Sequence, residues 1–249
     1  MEPFNEEQVR VLLLDIEGTT TPVDFVYKTL FPYASRKLET FLREHERNPE
    51  IRNLMEEMRE QQELDLRNGL EPPPWKSDSE EERLRACVAY GLWLIERDSK
   101  CTPLKLLEGK IWQRGYECGE IKGEVYADVP AAFERWKRQK RIICIYSSGS
   151  ALAQRLLFRS TSYGDLTDHI SLYFDTRVGA KAEPDSYCRI AGSFAHRPER
   201  FLFISDALKE IEAARGAGMR TLLCERLEQS DASGGRPDAI HDFQGIFPD

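Results

Sequence analysis

The chain has 249 residues, 41% of them hydrophobic and 31% charged, with a formal net charge of −8. That length and balance describe a globular protein with one large domain, or a core carrying a smaller one. An acidic chain without a basic stripe excludes a nucleic-acid partner, and the absence of any run of about 18 apolar residues excludes a helical membrane span.

The N-terminal "MEPFNEEQ" is acidic and polar, unlike a secretory signal or transit peptide. The six cysteines, Cys87, Cys101, Cys118, Cys144, Cys188 and Cys224, form no C-x-x-C pair. They are expected as buried thiols in a reducing compartment rather than as a disulfide frame or zinc site, which makes the chain cytoplasmic.

In chain order, the first element is a strand, "VRVLLL" at 9–14. A helical block follows from Phe25 to Gly119, with four segments of helical period: "FVYKTLFPYASRKLETFLREH", "IRNLMEEMREQQELDL", "SEEERLRACVAYGLWLIERD" and "PLKLLEGKIWQRGYECG". Three consecutive prolines make "NGLEPPPWKSDS" a loop, and Ser79 or Asp78 caps the helix after it. Four more apolar runs then read as buried strands: 141–146, 172–174, 201–204 and 221–224. Helices such as "ALAQRLLFRS" and "ALKEIEAARGAG" alternate with them, and Gly218 closes the latter as a C-cap. Alternation of this kind predicts an α/β protein, a parallel sheet with helices on both faces. The helical block is far longer than an ordinary crossover of about a dozen residues. It is an insertion emerging beside the carboxyl end of strand one, where open α/β sheets bind ligands, and so is placed to act as a lid.

The strand ends carry the chemistry. After strand one, Asp15 and Glu17 bring two carboxylates to one spot, with Gly18 relaxing the turn and Thr19 offering a hydroxyl; such a pair calls for a cation or a shared proton, and oxygen donors suit Mg²⁺. After strand two, Ser147, Ser148 and Gly149 place hydroxyls and free backbone N–H groups at a helix N-terminus, a phosphate-binding arrangement. Lys181, after the third strand, supplies an ammonium to hold a phosphoryl group. Ser205 and Asp206 follow strand four directly, with Glu210 one helical turn on. The histidines His45, His169, His196 and His241 show no metal-binding spacing, His45 reading as helix surface. Trp75, Trp93 and Trp112 read as packing residues of the insertion.

In this order the four segments resemble the motifs of the haloacid dehalogenase-like hydrolases, with "DIEGT" carrying Glu17 where the second Asp is usual. Longer stretches, "DIEGTTTPVDFVYKTLFPYA", "TPLKLLEGKIWQRGYECGEIKGEVYADVP", "YSSGSALAQRLLF" and "GDLTDHISLYFDTRVGAK", resemble the acireductone synthase family, the enolase-phosphatases of methionine salvage. The resemblance runs from about residue 9 to about residue 225. Ala180 stands where that family commonly has proline, and the tail after Glu225 matches weakly.

The resemblance implies a Rossmann-like haloacid dehalogenase core, residues 1–20 and 125–249, with an all-helical cap inserted at 21–124. It implies a phosphorylated diketone as small-molecule partner, 2,3-diketo-5-methylthiopentyl 1-phosphate, first enolised and then dephosphorylated with Mg²⁺ by a monomeric enzyme. Asp15 becomes the nucleophile, while Asp15, Glu17 and Asp206 form the metal set. Ser147, Ser148, Gly149 and Lys181 bind the phosphate. Glu17 takes one of two roles: general acid/base with its backbone carbonyl toward the metal, or a longer side chain reaching the metal or the carbon skeleton. Three other readings compete with this one. A generic cap-bearing phosphatase shares the four motifs but not "GKIWQRGY". A receiver-type signalling domain lacks the large insertion, and an inactive interaction module does not need the full motif set.

Overall fold

The computed structural model describes residues 8–76, 78–226 and 239–248. The expectations for the N-terminal "MEPFNEEQ", apart from Gln8, and for most of the tail after Glu225 lie outside the described residues. The chain divides into two compact units, Met1–Phe25 with Lys122–Asp249, and Val26–Ile121.

The first unit is built on five parallel strands: β1 (Val11–Leu14), β2 (Ile142–Tyr146), β3 (Ile170–Phe174), β4 (Phe201–Ser205) and β5 (Arg220–Leu223), in the order β3-β2-β1-β4-β5. Every residue of β1 and β4 is buried. That is the pattern of central parallel strands covered on both faces, and it explains why these runs are continuously apolar rather than alternating. Edge strand β3 leaves Ser171 and Leu172 exposed.

The crossover helices of this unit are α6 (Val129–Arg138), α7 (Ala151–Arg159), α8 (Pro184–Gly192) and α9 (Leu208–Gly216). Val11 and Leu13 point into one core layer with Tyr187 and Ile190 of α8 and Ile211 and Ala214 of α9. On α6 and α7, Phe133, Trp136 and Phe158 are buried, the rings of Phe133 and Phe158 lying 6.1 Å apart. Gly218 ends α9 at φ +87°, a left-handed backbone that glycine adopts without a Cβ clash.

Register positions the site. Leu14 pairs with Ile145 of β2 and with Ile204 of β4, so three adjacent strands end level. The backbone N–H of Asp15 donates to Ile204 O (3.0 Å), and that of Ser147 donates to Phe174 O (3.2 Å). Asp15, Ser147 and Ser205–Asp206 therefore emerge at one edge of the sheet.

In the second unit a π-helical turn, Val26–Leu30, continues the short α1 (Val23–Phe25) of the first into α2 (Phe31–Glu44), which is followed by α3 (Pro49–Arg67), α4 (Glu80–Glu96) and α5 (Thr102–Glu117). Ser79 caps α4, its Oγ accepting from the Glu82 N–H. The aromatic residues of this unit do pack: Trp112 is buried and donates to Leu30 O (2.9 Å), while Trp93 stacks on Tyr90. Tyr90, also buried, donates to Asp65 (2.7 Å). His45 is half-buried rather than a surface residue, capping α2 with its ring stacked on Phe41. Of the six cysteines, all free, Cys87, Cys101, Cys144 and Cys224 are buried as expected. Cys118 and Cys188 are exposed, because they fall on the solvent sides of α5's end and of α8.

Candidate active site

Directly after β1 the backbone coils into a tight turn. Ile16 O accepts from the N–H groups of Thr19, Thr20 and Thr21 (3.1, 2.9 and 2.9 Å), and Gly18 sits at φ +70°. The threonines of "EGTTT" thus close the turn, leaving Asp15 on its inner side. Thr20, not Thr19, supplies the useful hydroxyl, donating to Asp15 O (3.0 Å). The buried Thr19 hydroxyl has no hydrogen-bond partner among the described residues.

Asp15 is held at both oxygens. Oδ1 accepts from Lys181 Nζ (2.5 Å) and from the Ile16 N–H (2.7 Å), and Oδ2 accepts from Ser205 Oγ (3.0 Å). Lys181 also meets Glu210 Oε2 at 2.6 Å, and that oxygen lies 2.9 Å from Ser205 Oγ, whose single proton goes to Asp15. Ser147 Oγ donates to Glu17 Oε2 (3.3 Å). Residues from four strand ends, far apart in the chain, thus converge around Asp15, Glu17 and Glu210.

The convergence concentrates negative charge. Burial, and then Asp15, raises the Glu17 carboxyl above its ordinary range, and the same causes raise Glu210. Asp206 is pushed up to about 7 by burial and by Asp15. Burial works against the charge on Lys181, but Asp15, Glu210 and Glu17 outweigh it, so its ammonium stays protonated well above the usual lysine range.

The phosphate-binding loop departs from expectation. Helix α7 begins only at Ala151, capped by Ser150, whose Oγ accepts from the Ala153 N–H (3.2 Å). Asp175, buried at the end of β3, takes the Ala151 N–H (3.2 Å), and the Gly149 N–H donates to Ser147 Oγ (3.2 Å). The Gly149 N–H and these two first-turn amides are therefore engaged within the protein rather than free. Local side-chain caps compete for the orphan donors of a helix start.

Several contributors carry no motif. Arg226, 3% exposed, donates to Thr19 O through Nε and Nη2 (2.9 and 2.6 Å) and pairs with Asp128 (2.9 Å). Its guanidinium lies over the rings of Tyr126 and Phe243, 4.3 and 4.5 Å from their centroids. It therefore pins the turn that presents Asp15 and Glu17. The one clue in the sequence is a lone arginine just past a buried strand.

The donor set around Asp15 is entirely oxygen, with four acidic side chains facing one ammonium, which fits a hard divalent cation. Among the described residues no three His, Cys, Asp or Glu side chains already form a metal-holding group. That is compatible with Mg²⁺, which is commonly held by one or two carboxylates, with water and substrate phosphate completing its shell.

The model of the haloacid dehalogenase-like hydrolases matches residues 9–218. Enolase-phosphatase E1 of Synechococcus elongatus is 46% identical over 238 residues, covering 96% of this chain and 98% of the relative. Enolase-phosphatase E1 of Drosophila persimilis is 42% identical over 226 residues, covering 90% and 88%. Among solved structures, the UTR4 protein of Saccharomyces cerevisiae superposes with a TM-score of 0.74 at 33% identity, covering 96% of this chain and all of that one.

Proposed function

The chain belongs to the haloacid dehalogenase-like hydrolases and, within them, to the enolase-phosphatase E1 family, and on that premise we propose that it is an acireductone synthase. Its substrate is 2,3-diketo-5-methylthiopentyl 1-phosphate, which it enolises and then dephosphorylates to 1,2-dihydroxy-3-keto-5-methylthiopentene and phosphate. The observation that carries the reading is the convergence on Asp15, whose two oxygens accept from Lys181 and Ser205.

These contacts orient Asp15 as an anion, the state a carboxylate nucleophile needs. One of its oxygens bonds to phosphorus as the ester P–O bond breaks, and the departing enol oxygen takes a proton. Water then cleaves the aspartyl phosphate, releasing phosphate and restoring the carboxylate. Lys181 offsets the charge that spreads over the phosphoryl oxygens, with Ser147, Ser148 and Gly149 lining the same position. Glu17, whose raised carboxyl accepts a proton readily, is the candidate base for enolisation, aided by Ser147. The carboxylates of Asp15 and Asp206 and the backbone carbonyl of Glu17 would hold Mg²⁺, which when bound supplies charge neutralisation and polarises substrate oxygens. The unit Val26–Ile121 serves as the cap, and the enzyme works as a cytoplasmic monomer on a small molecule.

A generic phosphatase is the competing reading. The purified chain should release phosphate from the diketone phosphate with kcat/KM at least about 100-fold above that for phosphoglycolate or p-nitrophenyl phosphate. The ultraviolet absorbance of the conjugated enediol should appear alongside. Equal efficiency on all three esters, with no enediol signal, would sink the assignment.

A further inference from the structure

The loop that carries Lys181 is fastened by side chains at four successive carbonyls. Arg189 Nη1 donates to Val178 O (2.8 Å), Tyr146 OH to Gly179 O (2.9 Å), Ser186 Oγ to Ala180 O (2.7 Å) and Tyr187 OH to Lys181 O (2.7 Å). Three of the donors belong to α8 and the fourth ends β2. A connecting loop ordinarily gives its carbonyls to water, so protein donors at four in a row mark a segment whose path is specified.

Local sterics say the same. Gly179 lies at φ +140°, and a Cβ there would come within 2.1 Å of Ser186 Oγ. Only glycine lets the loop lie this close to α8.

The two tyrosines are fully buried, their rings edge to face with centroids 5.6 Å apart, and Tyr187 packs against Phe203 of β4 at 5.0 Å. Filling a core needs no hydroxyl, and an unpaired buried hydroxyl is costly. Both hydroxyls nevertheless end on this one loop. The Tyr146 ring also lies 5.8 Å from Lys181 Nζ. The anchors are thus rooted in β2 and against β4, the strands that deliver Ser147 and Ser205.

We propose that Tyr187, together with Tyr146, is a positioning residue that sets the backbone of Lys181 so that its ammonium sits between Asp15 and Glu210. The proposal rests on the reading of Asp15 and Lys181 as phosphoryl-transfer groups. Tyr187 hydrogen-bonds neither the Asp15 carboxylate nor the Lys181 ammonium, and acts through the carbonyl of the residue it aims. A misplacement of about 1 Å at a charge-stabilising group can cost about 100-fold in rate. Loss of one of four anchors should cost less.

The test is Tyr187→Phe in the full chain, which keeps the ring and removes only the hydroxyl. Phosphate release from the diketone phosphate should show kcat lower by about tenfold with KM changed by less than about twofold. Acylation of Lys181 by a water-soluble N-hydroxysuccinimide ester, followed by mass spectrometry, should be several-fold faster than in the native protein, other lysines being unchanged. An unchanged kcat, or unchanged Lys181 labelling, would overturn the proposal. If the native chain showed no turnover, the functional reading would fail, and the labelling comparison alone would decide the positioning role. Should Tyr187→Phe not fold, Ser186→Ala removes the neighbouring anchor and carries the same expectations.

Discussion

The two units use charge in opposite ways. In the sheet unit the ion pairs at the site are buried: Lys181 and Asp15 are 10% and 4% exposed, and Arg226 and Asp128 are 3% and 10% exposed. In the helical unit the pairs lie on the surface, as between Arg43 and Glu81 or Arg59 and Glu56, where water screens them and they stabilise little. Desolvating a charge costs several kcal/mol unless it is well paired. The sheet unit carries that cost where strand ends meet, and there Lys181 is paired with Asp15 and Glu210, and Arg226 with Asp128. Burial of paired charge at these strand ends thus marks the candidate site and the turn that presents it.

The sharpest way to break that comparison is at Asp15. Asp15→Asn keeps the shape but removes the nucleophilic carboxylate, so phosphate release should fall by more than about 10³-fold while far-UV circular dichroism stays native. Release at the native rate would dissociate the buried cluster from catalysis.

Arg226→Met comes next. It leaves Asp128 buried without its partner and Thr19 O without its donor, so stability should drop by about 3–5 kcal/mol, read as a lower urea midpoint. The same truncation at Arg43 should leave the midpoint where it was.

The last prediction probes a buried acid of the helical unit. Glu108 is buried on α5, and burial, with Asp98 adding to it, pushes its carboxyl up to about 8. An unfolded glutamate ionises near 4.5, so the folded state holds the extra proton between these values. The stability this contributes is complete below 4.5 and is lost as pH rises through about 8. Glu108→Gln, which cannot ionise, should match the native chain near pH 4 and become the more stable of the two as pH rises from 4.5 through about 8, read as a growing gap between their urea midpoints. Parallel pH–stability curves for the two proteins would show that Glu108 does not ionise in this range.

Much of the site was legible before any coordinates. Asp15, Glu17, Lys181 and Asp206 stood out as candidates because the ends of parallel strands are where ligand chemistry gathers, and because continuous apolar runs make those ends easy to locate. The lapses have a common cause. The helix start after Ser147, Ser148 and Gly149 looked free because Asp175, which takes one of its amides, is 24 residues away in the chain. Thr19 and Thr20 are indistinguishable until the turn decides which hydroxyl faces Asp15 O. Arg226, Tyr146 and Tyr187 act on backbone carbonyls, which every residue possesses, so no motif betrays them.

Hydrophobic periodicity and turn chemistry are local, and they determined the sheet, the helical insertion and the positions where acids leave the strands. Which donors those acids meet depends on strand register and on side chains far away in sequence. Only the packed structure decided that Lys181 would sit between Asp15 and Glu210, that Arg226 would pin the first turn, and that Tyr187 would hold the lysine's own backbone. A hydrogen bond requires its partners within about 3 Å, and only folding brings residues so distant in the chain that close.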